Sequence, residues 1–117
     1  MNSISDDVLK SILELLSKQL TKDLNSAFST EPLVLAEELI QYCEVLSRSG
    51  YSELSQRLYS VDIDEDSLYF QLQENKDASE ALLIARLVLK RELQKILFRI
   101  AFKDIRLDDC VNRILPS

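Results

Sequence analysis

The stretch that decides the fold is residues 77–103, DASEALLIARLVLKRELQKILFRIAFK. It contains neither Gly nor Pro, and its period predicts one helix of about 25 residues, roughly 40 Å long. Asp77 and Glu80 stand at the spacing of a capping box, each side chain accepting from the other's backbone N–H. On a helical wheel Leu82, Ala85, Leu89, Leu93, Ile96 and Ile100 share one face. Ile84, Leu87, Phe98 and Phe102 form a second apolar face roughly 150–180° away. A helix apolar on two sides is buried between layers or shared with a partner, so the other segments are expected to pack around it.

Those segments are helical too. The chain has 117 residues, a length that suits a single domain, and its hydrophobic share of 46% is that of an ordinary globular protein. One Gly and two Pro are too few for the many bends of an all-β fold. The expected class is therefore all-α, a small bundle of five to six helices around the long central one.

The net charge of −6 sets the chain against general binding to polyanions. Residues 1–76 hold fourteen acids and six bases, whereas residues 77–117 hold six acids and eight bases. The two parts attract each other, as acidic helices packed around a more basic one would. MNSISDDVLK lacks the basic start and apolar core of a signal peptide, and no apolar run approaches a membrane span. A cytoplasmic location with Cys43 and Cys110 as reduced thiols is the expectation.

In chain order, Ser5 is placed to cap a first helix running to about residues 24–28, with Ile4 and Leu9 as a hydrophobic staple. Leu9, Ile12, Leu13, Leu16, Leu20 and Leu24 give that helix one apolar face. Pro32 suits the first turn of a second helix, 33–48, whose Leu35, Ala36, Leu39, Tyr42, Cys43 and Leu46 point inward. Gly50 is expected to end it in a left-handed C′ position, with Tyr51 folded back on Leu46. Ser52 would then cap a short third helix, making a single helical hairpin with no second copy, which argues against a repeat solenoid. Residues 61–75 suit either a hairpin or a short helix capped by Asp64; the helix is preferred, because an isolated two-stranded hairpin is marginal in water. A last short helix starts at Leu107-Asp108-Asp109 and stops at Pro116.

Candidate chemistry is sparse. Histidine is absent, which removes Ser–His and Cys–His nucleophile pairs and the Glu-x-x-His di-metal sites of helical bundles. A single Gly rules out a phosphate-cradling glycine loop. The adjacent acids Asp6/Asp7, Glu37/Glu38 and Asp108/Asp109 diverge by about 100° on a helix and do not converge on one atom. Asp62, Asp64 and Asp66 begin like a calcium loop, but Ser67 and Gln73 stand where the Gly and bidentate Glu belong. Lys95, Arg99 and Arg106 make a narrow basic wedge beside Phe98 and Phe102, too few charges on an acidic chain to argue for nucleic acid.

The sequence thus reads as a non-catalytic helical protein, with no cofactor or metal, that acts by protein–protein association. It would be a homo-oligomer, an adaptor or a regulatory subunit. The expected contact residues are Ile84, Leu87, Phe98 and Phe102, with Lys95 and Arg99 beside them, and the expected assembly is a homodimer. The alternative is a ligand- or metal-responsive regulator using the acidic 62–66 loop.

Overall fold

A computed structural model describes residues 5–74, 79–100 and 106–115, with all their side chains except those of Tyr51 and Ile100. The described residues form six helices and no strand: α1 (Asp6–Leu24), α2 (Pro32–Arg48), α3 (Tyr51–Val61), α4 (Glu65–Glu74), α5 (Glu80–Ile100) and α6 (Leu107–Ile114). The all-α class follows directly. Within the ambiguous 61–75 segment, Glu65–Glu74 is helical, and Asp64 starts that helix by accepting from the N–H of Asp66 at 3.2 Å.

Several helices begin where local chemistry dictates. Ser5 accepts from the N–H of Val8, and Asp6 and Asp7 sit in the positive first turn of α1. Pro32 occupies the first turn of α2, where its missing N–H is not needed. The hydroxyl of Ser79 accepts from the N–H of Leu82 at the head of α5, while Asp77 of the expected capping box lies outside the described residues. So do Ile4 of the staple, Phe102, Lys103 and Pro116. Helix α1 ends at Asn25, in the left-handed conformation that Asn tolerates better than most residues (φ 53°, ψ 46°).

Gly50 differs from the expectation. Its φ of +100° is positive, but its ψ of 167° is extended, so it is not a left-handed C′ residue. Helix α2 ends at Ser49 in right-handed geometry, and Gly50 itself precedes the first turn of α3, which therefore starts before Ser52. This is a conformation that residues with a β-carbon rarely adopt.

Helix α5 touches each of the other five helices. Its buried stripe is Ala81, Ile84, Ala85, Val88, Leu89, Glu92, Leu93 and Ile96, a continuous i, i+3, i+4 pattern. Around it lie Ile12, Leu16 and Leu20 of α1, Leu35 and Leu39 of α2, Leu58 of α3, Leu68 of α4, and Val111 and Ile114 of α6. The two apolar faces expected from the wheel are therefore one broad buried face plus a remnant, with Leu82 and Leu87 only partly buried.

The α1–α2 connection is fastened from both sides. The buried Ser17 hydroxyl donates to the carbonyl of Phe28 at 2.5 Å, Tyr42 Oη donates to the carbonyl of Leu24, and Ser29 N–H donates to Glu38. This fixes the tail of α1 against the rest of the bundle and sets the position of the surface described next.

Candidate functional site

The second half of α5 runs alongside α1, and there the apolar interior contains charge. Lys95 Nζ donates to a carboxylate oxygen of Asp23 at 3.1 Å and lies 3.1 Å from Oε2 of Glu92. The first contact is a hydrogen bond; the second is a close charge contact, because neither Glu92 oxygen has an aligned hydrogen-bond partner. Glu92 is completely buried. Burial, together with the Asp23 carboxyl beside it, raises its pKa to about 8 against the opposing pull of Lys95. Burial also pushes Asp23 upward, but the hydrogen bonds it accepts from Gln19 and Lys95, the adjacent Glu92 carboxyl and the charge of Lys95 outweigh it and hold that carboxyl below its usual range.

Above this buried cluster the surface opens into two adjoining grooves. One, of about 250 Å³, lies between α1 and α5 and is lined by Leu15, Lys18, Gln19, Lys22, Ile96 and Arg99. The other runs over α5 and is lined by Arg91, Gln94, Lys95, Phe98 and Arg99. Arg99 is common to both and donates to Gln19 at 3.4 Å. The described lining thus holds five bases and no acid, on a chain of net charge −6. Arg91 is engaged by Asp62 at 2.7 Å and Lys95 by Asp23, whereas no described carboxylate lies within ion-pair distance of Lys18, Lys22 or Arg99. Phe98 stands in the middle, 91% exposed.

The residues singled out from sequence separate here. Phe98, Lys95 and Arg99 come together around the second groove. Ile84 is wholly inside the core and Leu87 is partly buried, on a helix that packs against α6 and four other helices. Arg86 fastens α6 there by donating to the carbonyl of Leu115 and to Asn112. Phe102 lies outside the described residues, and Arg106 is an exposed residue preceding α6. Sequence reasoning missed Leu15, Lys18 and Lys22, whose position beside Arg99 is a tertiary fact. It also missed Glu92, although apolar neighbours three and four residues before it (Leu89, Val88) and four after it (Ile96) mark that position as inward-facing.

The acidic loop is used by the fold. Asp62 closes α3 in left-handed geometry and pairs with Arg91, Asp64 caps α4, and Glu65 accepts from the hydroxyl of Ser55. Among the described residues no three Asp, Glu or Cys side chains converge as a metal would require. Both thiols are fully buried, and burial raises Cys43 to about 12 and Cys110 to about 11. A further open groove of about 430 Å³ lies beside the α1–α2 connection, but its Glu38 and Tyr42 already hold that connection closed. No described helix is long and apolar enough to cross a membrane. Comparison with family models, with curated proteins and with solved structures returns no match.

Proposed function

We propose that this protein works by binding another protein chain, without catalysis, through the surface centred on Phe98. The observation that carries the reading is a large aromatic side chain 91% exposed on α5 and flanked by Gln94, Lys95 and Arg99. An aromatic anchor beside Arg is the composition of an interface centre. Against catalysis stand the absence of histidine, two thiols raised by burial, and a high-pKa carboxyl sealed in the core. No observation favours the acidic loop as a ligand site, since its carboxylates already serve the helix ends and Arg91.

The test is cross-linking followed by affinity capture from the native cells, comparing wild type, Phe98→Asp and a control, Val45→Asp, on the outer face of α2. The expected result is a defined captured chain, either this protein or another, reduced roughly 10-fold or more by Phe98→Asp and unchanged by the control. Because Phe98 and Val45 are both exposed, the helical signal stays the same in each variant. Equal capture by all three would remove the reading.

A further inference from the structure

The basic surface around Phe98 has a counterpart on the same molecule. Helix α4 displays Asp66, Phe70 and Glu74 at i, i+4 and i+8, so the three form one exposed stripe, with Tyr69 flanking it. Phe70 is 62% and Tyr69 55% exposed. From Asp62 to Glu74 the chain has five acids and no base. The molecule therefore carries a basic surface with one aromatic anchor and an acidic surface with two. They meet at the Arg91–Asp62 ion pair, whose partners belong one to each.

That arrangement decides what occupies the Phe98 surface. A copy placed so that the two Phe98 surfaces face each other would set the basic lining of one, with Lys18, Lys22 and Arg99, against the same lining of the other, and such like-charge contacts oppose association. A copy turned about an axis passing near the Arg91–Asp62 border brings basic to acidic twice over. Resting on the association reading above, we propose that the occupant is a second copy of this chain. Its α4 stripe docks on the Phe98 surface, while its own Phe98 surface receives the α4 stripe of the first. The contact is isologous and closes at two subunits. A stable interface of this kind removes about 800 Å² per partner, roughly a tenth of the 7501 Å² surface. Apolar anchors at both ends then supply the affinity, and the charges supply the register.

A charge exchange tests it. The basic-side variant is Lys18→Glu/Arg99→Glu and the acidic-side variant is Asp66→Lys/Glu74→Lys; all four positions are exposed, and circular dichroism checks that each chain stays helical. Mass is read by light scattering coupled to size exclusion, and affinity by sedimentation. Wild type should run at twice 13.5 kDa and dissociate more readily as salt rises. Each variant alone should lose roughly 100-fold in dimer affinity, and an equimolar mixture should recover a 1:1 dimer. Variants that dimerise as well as wild type, or a mixture that stays monomeric, would overturn the pairing. A wild-type mass that climbs past the dimer would overturn the closed two-fold geometry. A monomeric wild type would overturn self-association alone if Phe98→Asp still abolishes capture of a different chain, and the wider reading falls only if that capture is unaffected too.

Discussion

A carboxyl group with no exposure, set in the middle of an apolar helix stripe, destabilises a fold unless it keeps its proton. Glu92 is such a group. Its pKa rises from an ordinary 4.5 to about 8 in the folded protein, so between these values the folded chain holds a proton that the unfolded chain releases. The favourable contribution is complete below about pH 4.5 and is lost as pH climbs through about 8. Glu92→Leu places an apolar side chain between Val88, Leu89 and Ile96 and leaves Lys95 with Asp23 as its partner. We expect the variant to be more stable than wild type by an amount that grows between pH 5 and pH 9, approaching something on the order of 3 kcal/mol. Asp23 acts in the opposite sense, since its lowered pKa withdraws stability only at acid pH, below the pH 5–9 window in which the two proteins are compared. Urea unfolding across that pH range is the measurement. Parallel stability curves for the two proteins would mean Glu92 ionises in the fold as freely as outside it.

At the level of the helices, what was legible in the sequence is what local chemistry determines. Ser5, Pro32 and Asp64 mark starts that need no tertiary partner, and all three act as read. The apolar period of α1 names its buried residues correctly, because a helix with one apolar face has only one way to turn. Helix α5 has two, and the wheel does not reveal that Ile84 is covered while Phe98 stays open; that depends on how the other five helices come to rest around it. The same limit separates the two sides of the candidate site. Phe98, Lys95 and Arg99 lie within five residues of one another on one helix, whereas Leu15, Lys18 and Lys22 join them only through packing. Gly50 divides similarly: a glycine between two helices points to positive φ, but its extended ψ is not a local property of the sequence. A β-carbon there meets no atom within 4 Å, so the penalty of Gly50→Ala is backbone strain alone. We expect a loss of about 1–3 kcal/mol in chemical denaturation, with Gly50→Val losing more. A neutral alanine would mean that the α2–α3 junction relaxes to negative φ at no cost.

Across the whole molecule, the contact of α5 with every other helix has a consequence for how the fold comes apart. A bundle whose helices met only their sequence neighbours would lose its ends first, one helix at a time. Here α2 and α6 both pack on α5 and also touch each other, so neither leaves without exposing the core of the other two. Each carries one fully buried thiol, Cys43 on α2 and Cys110 on α6, held in the unreactive protonated form by burial. The two sulfurs therefore report on helices far apart in the chain order. In native buffer both should resist a thiol reagent such as iodoacetamide. In increasing urea the labelling of each, measured separately on Cys43→Ala and Cys110→Ala chains after allowing for the altered stability, should follow the loss of helical dichroism along one transition. Labelling of Cys110 at urea concentrations that leave the dichroism intact would show α6 detaching on its own. The stabilising effect of the shared α5 core would then reach only the first five helices.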